Sequence, residues 1–195
     1  MFRQIVDTLV PKVEEREARA LAFVVLEDSF GLSRTDIYLG KDTAFSEEDT
    51  IRLEKILRRL EQGEPVQYAI GTAQFCDLTF RVTPDTLIPR PETEELVGWV
   101  ASLLPSDASC SVLDVGTGTG CIAISLAKQF PRAQVTAWDI SEGALAVAQQ
   151  NNPRGAHCAL STPCAAARSA AAARASSMST SIGTAGQSPH RRSRA

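Results

Sequence analysis

A glycine-rich turn and a later acid are the two features of this sequence that could do chemistry together. Residues 112–115 form a largely apolar strand that runs into Gly116-Thr117-Gly118-Thr119-Gly120. Alternate glycines let the backbone approach a ligand closely, and a helix that follows such a loop offers free N–H groups. Asp139 ends a second apolar strand, at the spacing expected for an acid that binds ribose hydroxyls. These residues predict a site for a nucleotide-type cofactor.

The loop differs from two common phosphate-binding motifs. It lacks the Gly-Lys-Ser/Thr ending of a P-loop, which disfavours phosphate hydrolysis. It also runs Gly-x-Gly-x-Gly, where a loop that binds NAD runs Gly-x-Gly-x-x-Gly. We expect the carboxylate of Asp114 to cap the amides of the loop rather than to act in catalysis.

The elements around the loop predict an α/β fold. The strand–turn–helix–strand order from residue 110 to residue 139 is a βαβ unit, which implies a parallel sheet with a right-handed crossover. A further helix begins at residues 139–142 and reaches residue 152.

The preceding residues predict two further units. Residues 1–64 have the apolar spacing of a small helical bundle, with Ser46 as an N-cap and Gly31 and Gly63 at helix ends. Residues 65–90 predict a β-hairpin linker, with Gly71 and Asp77 as candidate turn points. Pro91 then fits the first position of another helix.

Composition narrows the class of protein. The 195 residues are 44% hydrophobic and 22% charged, which is ordinary for a globular protein. The net charge of −3 is uneven, because residues 153–195 carry +6 and leave the rest of the chain at −9. This acidic body argues against nucleic-acid binding. We expect a cytoplasmic protein, since no apolar run is long enough for a membrane span and no signal peptide is present.

The five cysteines predict neither a disulfide framework nor a metal site. They form no C-x-x-C pair, and their number is odd. His157, Cys158 and Cys164 are the nearest approach to a ligand cluster, but their spacing matches no zinc motif. We therefore expect no metal.

Three segments together carry a resemblance to a known family. Asp114-Val115-Gly116-Thr117-Gly118-Thr119-Gly120 resembles motif I of class I S-adenosylmethionine methyltransferases. Two further segments narrow the resemblance to one family within this class. They are Gly63-Glu64-Pro65-Val66-Gln67-Tyr68, with the later Phe75, and Leu87-Ile88-Pro89-Arg90-Pro91-Glu92-Thr93-Glu94. Residues 1–152 resemble the HemK/PrmC family, which methylates the glutamine of the Gly-Gly-Gln motif in bacterial peptide chain release factors.

The resemblance implies a cofactor, a partner and site residues. The cofactor is S-adenosyl-L-methionine, with Gly116, Thr117, Gly118, Thr119 and Gly120 on its methionine and ribose side and Asp139 on the ribose hydroxyls. Arg90 and Glu92 lie near the cofactor pocket; the alternative is a proline-braced helix start with a salt-bridged arginine. The partner is a release factor, which residues 1–64 would dock, and the protein is expected to be a monomer that binds no membrane and no nucleic acid directly.

The sequence differs from the family's pattern at one motif. The family's Asn-Pro-Pro-Tyr motif is absent from the sequence, so no catalytic residue is assigned, and we expect an inactive chain. By strand spacing the motif should fall near residues 178–188. Residues 153–195 contain no Asp, Glu, Lys, Trp, Phe or Tyr. A reading-frame shift near codon 153 and an evolved extension are the two explanations that remain open.

These expectations combine into one prediction of architecture. It consists of a helical bundle (1–64), a β-hairpin linker (65–90), a truncated Rossmann-like class I methyltransferase domain (91–152) and a low-complexity, disordered tail (153–195). Two other functions remain as alternatives: a truncated, non-catalytic binding protein, and a relative of the adenine N6-methyltransferases.

Overall fold

The structure, a computed structural model, describes residues 1–41, 45–152 and 158–162. Helices and strands alternate from the hairpin onward, so the fold is α/β as predicted. In chain order the elements are α1 (Phe2–Leu9), α2 (Glu15–Phe30), α3 (Arg34–Tyr38), α4 (Glu47–Glu61), α5 (Val66–Ile70), β1 (Thr72–Phe75), β2 (Leu78–Arg81), α6 (Pro91–Leu103), β3 (Ser111–Val115), α7 (Cys121–Gln129), β4 (Gln134–Trp138), α8 (Glu142–Asn151) and β5 (Cys158–Ser161).

The first five helices share one hydrophobic core. The capping residues predicted from the sequence are confirmed: the Ser46 hydroxyl accepts a hydrogen bond from the Asp49 amide at 3.0 Å, and Gly31 ends α2 in the left-handed conformation. The buried stripe of α2 contributes Val25 and Leu26, which are fully buried. The amphipathic spacing of these helices thus produces the expected bundle.

The helical unit extends beyond residue 64, where the sequence analysis ended it. Pro65 is the N-cap of a further short helix, α5, whose Val66 and Ala69 belong to the same core. Arg59 joins α5 to α4, because its guanidinium forms a bidentate ion pair with Glu64 and also donates to the Ala69 carbonyl at 3.2 Å. The Glu64-Pro65 pair is therefore a corner within the unit rather than its end.

The predicted hairpin is present, and it is more than a linker. Its two strands are antiparallel, and the chain reverses at Cys76 and Asp77, whose φ angles are 48° and 58°. Phe75 and Phe80 make an edge-on ring contact with centroids 6.0 Å apart, and both are buried in the core of the second unit. Because Glu94 accepts the Cys76 amide at 3.2 Å, the hairpin is also held to α6.

Three parallel strands form the sheet, in the order β3-β4-β5. Only β3 and β4 are expected from the sequence, and the predicted disordered tail from residue 153 is wrong for Cys158–Ser161. This strand was missed because it has four residues and no β-branched or aromatic side chain. Its Cys158 is buried against β4, which shows that the ordered pattern continues past Asn152.

The far edge of β3 has no strand partner among the residues that the structure describes. Leu113 and Val115 on this strand are 50% and 62% exposed. A parallel sheet usually has both faces covered, so elements that would cover this face of β3 are not among the described residues. The expected position of the Asn-Pro-Pro-Tyr motif, residues 178–188, lies outside the described residues, as do 153–157 and the rest of the expected tail, 163–195.

The helices of the structure are short or amphipathic rather than long and uniformly apolar. Within 1–41, 45–152 and 158–162, none of them combines the length and the apolar character that a bilayer crossing requires.

The corner between α4 and α5 gives a prediction that depends on pH. Hydrogen bonding to Arg59 lowers the pKa of Glu64. Its carboxylate therefore stabilises the fold above its unfolded pKa of about 4.3, and this contribution is lost as the pH falls through the lower folded value. Glu64→Gln should reduce the free energy of unfolding near neutral pH, and the gap from wild type should shrink below about pH 4.3.

Urea denaturation from about pH 7 to about pH 3 measures this gap. Glu61→Gln is the matched control, because Glu61 lies at the same end of α4 and forms no ion pair with another described residue. Its unfolding curve should follow that of the wild type. A gap for Glu64→Gln that stays constant over the whole range would contradict the ion-pair account.

Candidate cofactor-binding site

The glycine loop begins where β3 and β4 end side by side. The Gly116 and Thr117 amides both donate to the Trp138 carbonyl, at 2.8 and 3.0 Å. This shared carbonyl extends the pairing of the two strands by one step, so the loop leaves the sheet in a fixed direction. The loop then ends at Gly120, the N-cap of α7.

The predicted partner acid closes the loop from the neighbouring strand. Oδ2 of Asp139 accepts the Gly118 amide at 2.8 Å, and Oδ1 accepts the Ser141 amide at 2.9 Å. A carboxylate offers about four lone-pair positions, so each oxygen of the half-buried Asp139 retains capacity for a ligand hydroxyl. The structure thus brings together the loop and the acid that the sequence separates.

The three glycines of the loop differ in what a side chain at each position would meet. Gly116 and Gly118 have φ angles of 80° and 55°, and a Cβ on either would meet no heavy atom within 4 Å, so their open side faces space that a ligand could fill. Gly120 faces the protein instead. There a Cβ would lie 2.9 Å from Cδ1 of Ile124 and 3.3 Å from Cβ of Ala148, so the third glycine permits close packing of α7 and α8.

The two threonines of the loop point into the protein. Thr117 and Thr119 are 6% and 2% exposed, so only their backbone groups are available to a ligand. The Thr117 hydroxyl donates to Oδ2 of Asp114 at 2.6 Å. Asp114 therefore braces the loop as expected, but it does so through a side-chain hydroxyl and not through the amides.

Arg90 and Glu92 lie at the start of α6, and both are exposed. Pro91 occupies the first helical turn, as predicted, and Arg90 precedes it as the N-cap. Among the described residues neither side chain forms an ion pair or a hydrogen bond, with the glycine loop or elsewhere. The salt bridge of the alternative interpretation is thus not found there, and a role at the cofactor pocket stays a prediction.

Two residues near the loop were missed by the sequence analysis. Ile140 follows Asp139 directly and is 73% exposed, which gives the site an apolar surface beside its acid. Asn151, at the end of α8, donates to the Thr119 carbonyl at 3.0 Å. An apolar residue after the strand-end acid was a visible signal for the first, whereas the second depends on how α8 packs.

The site fits a cofactor that presents a ribose and an apolar ring. The open sides of Gly116 and Gly118 provide room for its backbone, the free lone pairs of Asp139 accept hydroxyls, and Ile140 offers an apolar contact. Thiolate chemistry is disfavoured, because burial raises the pKa of Cys121 at the start of α7. No group of three or more possible metal ligands occurs within the described part of the chain.

Two family models match the chain. Residues 3–71 match the PrmC N-terminal domain, and residues 112–183 match a methyltransferase domain. The first match ends at the close of α5, in agreement with the extent of the helical unit seen here. The second continues past residue 152, where the sequence analysis placed the end of the ordered pattern.

Several curated relatives of this chain share the name release factor glutamine methyltransferase. The release factor glutamine methyltransferase of Bacteroides thetaiotaomicron is 49% identical over 151 residues, which are 77% of this chain and 52% of that protein. The proteins of the same name from Flavobacterium psychrophilum and Escherichia coli are 42% and 39% identical, over 76% and 67% of this chain and 53% and 47% of their own lengths. The chain thus spans about half the length of the relatives it matches.

Solved structures also show similarity to this chain, at low identity. The crystal structure of coclaurine N-methyltransferase bound to N-methylheliamine and SAH is 14% identical, covers 74% of this chain and 48% of its own, and has a TM-score of 0.30, too low to bear on the fold. The helical unit, the glycine loop and the curated relatives lead to one conclusion: the chain belongs to the HemK/PrmC family of release factor glutamine methyltransferases.

Proposed function

We propose that this chain is the part of a release factor glutamine methyltransferase that binds S-adenosylmethionine and docks the release factor. The observation that carries the proposal is the bond between the Gly118 amide and Asp139, which sets the glycine loop beside an acid that has free lone pairs. The identity of 49% to a relative of that name supports the same cofactor.

The residues of the loop would hold the cofactor in three ways. Asp139 would accept hydrogen bonds from the ribose hydroxyls, and Ile140 would offer an apolar contact to the adenine ring. The open backbone at Gly116 and Gly118 would leave room for the methionine part, which a side chain at either position would obstruct. The bound cofactor supplies a sulfonium methyl group to the acceptor nitrogen.

Transfer to a glutamine amide needs more than a bound cofactor. The amide nitrogen is a poor nucleophile, because its lone pair is delocalised into the carbonyl. In this family the Asn-Pro-Pro-Tyr motif accepts hydrogen bonds from the amide and orients it towards the methyl group, so catalysis is largely positioning. These 195 residues lack the motif. We therefore propose that the chain binds the cofactor without transferring its methyl group.

The helical unit is the proposed docking module for the release factor. It carries exposed apolar side chains at Tyr38, Leu39 and Ile51, which are 78%, 69% and 48% exposed. Apolar side chains of this kind suit a protein partner better than a nucleic acid, and the acidic body favours the same choice. The proposal is of a monomer that acts in the cytoplasm, where release factors work.

Asp139→Ala should weaken binding of S-adenosylmethionine by about 1–3 kcal/mol, because the ribose loses a charged hydrogen-bond acceptor. Isothermal titration calorimetry measures this difference. Asp107→Ala is the control, since Asp107 is an exposed acid before β3, at the opposite end of the strands from the loop. Equal affinities of wild type and Asp139→Ala would show that Asp139 does not contact the cofactor.

Gly116→Ala should abolish cofactor binding, and the left-handed backbone at this position should add a cost of about 1–2 kcal/mol in stability. Its new methyl group would project into the space reserved for the ligand. Gly63→Ala is a matched control, because Gly63 has the same φ of 80°, is equally open and lies outside the loop. Both variants should unfold at similar urea concentrations, and only Gly116→Ala should fail to bind. Undiminished binding by Gly116→Ala would refute the assigned ligand position.

The chain should not methylate a release factor. Loss of one positioned hydrogen-bonding group costs about 10²–10³ in rate, and here the whole motif is missing. Methyl transfer from labelled S-adenosylmethionine is measured beside the full-length Bacteroides relative, which should label the release factor readily. Turnover by the 195-residue chain comparable to that of the relative would contradict the proposal and would indicate a substitute for the motif.

A further inference from the structure

Asn151 uses its side-chain amide to bridge two separate segments. Its Oδ1 accepts the Arg81 amide at 2.7 Å, and its Nδ2 donates to the Arg81 carbonyl at 2.9 Å. The same Nδ2 donates to the Thr119 carbonyl at 3.0 Å. Both donors and one acceptor of this amide are therefore occupied, by the last residue of β2 and by the glycine loop.

The bond pattern at Arg81 is that of a strand partner. An amide that pairs with both the N–H and the C=O of one residue replaces the two bonds of a strand neighbour. The Thr119 carbonyl lies immediately before Gly120, and among the described residues it accepts no other hydrogen bond. Asn151 thus satisfies the outer edge of the hairpin and a backbone group of the loop at the same time.

The other end of α8 also contacts the segment that follows the hairpin. A Cβ on Gly143 would lie 3.0 Å from Cγ of Asp85, so the chain after β2 packs closely against the first turn of α8. That turn begins at Ser141, whose amide is bound by Asp139. Helix α8 therefore contacts the hairpin or the segment after it at both of its ends. Its C-terminal end contacts the glycine loop, and its N-terminal end is bound to Asp139, the acid that holds the loop.

We propose that Asn151 is a positioning residue that couples the docking of hairpin β1–β2 to the conformation of the glycine loop. This inference rests on the proposed function, since it concerns control of the same cofactor site. A cofactor that stabilises the loop then also stabilises the hairpin, and by thermodynamic linkage a hairpin that is held in place strengthens cofactor binding. Because the hairpin follows α5 directly, a partner bound to the helical unit has a route to the cofactor site.

Asn151→Asp is the informative variant. It keeps the size of the side chain and the acceptor for the Arg81 amide, but it replaces both donors with an oxygen that faces two carbonyls. We expect at least a tenfold loss of affinity for S-adenosylhomocysteine, measured by calorimetry. Gln150→Ala is the control, because Gln150 contacts only the guanidinium of Arg81, at 2.8 Å. The affinity of this variant for S-adenosylhomocysteine should stay within twofold of the wild-type value.

Hydrogen exchange separates coupling from simple structural support. In the wild type, saturation with S-adenosylhomocysteine should slow exchange at the Arg81 amide as well as at the Gly120 amide, which donates to the Thr117 carbonyl. In Asn151→Asp, saturation should slow Gly120 but leave Arg81 unchanged. Asn151→Ala, which adds no carboxylate, is the second variant and should behave in the same way.

Each outcome decides one point. Wild-type affinity in Asn151→Asp, or ligand-induced protection of Arg81 in either Asn151 variant, would overturn the inference. If neither variant folds, the wild type alone is decisive, since saturation that protects Gly120 but not Arg81 would exclude coupling. If the wild type fails to bind S-adenosylhomocysteine, the proposed function fails. Asn151 is still tested without ligand, because Asn151→Ala removes the acceptor of the Arg81 amide and should speed exchange at both Arg81 and Gly120.

Discussion

The carboxylate of Asp139 is the contact on which the rest of the site depends. Parallel strands β3 and β4 end at the same edge of the sheet, so the chain segments that leave them must find partners for their amides. Asp139 provides a partner for each, since one oxygen binds Gly118 in the glycine loop and the other binds Ser141 at the start of α8. The loop is therefore held open before any ligand arrives, which reduces the ordering cost of binding.

Two hydrophobic cores carry this site, and the hairpin joins them. Helix α5 completes the core of the helical unit, and the strand that follows it buries Phe75 in the core of the sheet. The chain has no long flexible connection at this point, because only Gly71 separates α5 from β1. The position of the helical unit is thus constrained by the same hairpin that Asn151 holds against the loop.

The sequence was sufficient for features that depend on local chemistry. Ser46, Gly31 and Pro91 act through their own backbone geometry, so their roles at helix ends were predictable. Gly116 and Asp139 were predictable as neighbours, because the βαβ rule places successive strand ends at one edge. Each of these predictions needed only a few consecutive residues or a fixed spacing.

Features that depend on tertiary packing were not predictable in the same way. Strand β5 is too short and too poor in β-branched residues to be detected alone, and it is defined by its pairing with β4. The inward orientation of Thr117 and Thr119 follows from the contacts of the folded loop. Asn151 contacts Arg81 and Thr119, which precede it by about seventy and about thirty positions, and no local sequence pattern encodes such contacts.

The most direct test of the central claim is a titration of S-adenosylmethionine into the ¹⁵N-labelled chain, followed by amide resonances. The account predicts saturable shifts at Gly116, Gly118 and Ser141, the amides around Asp139, and no shifts in α1–α4. No saturable shift at these amides, or shifts confined to the helical unit, would contradict it.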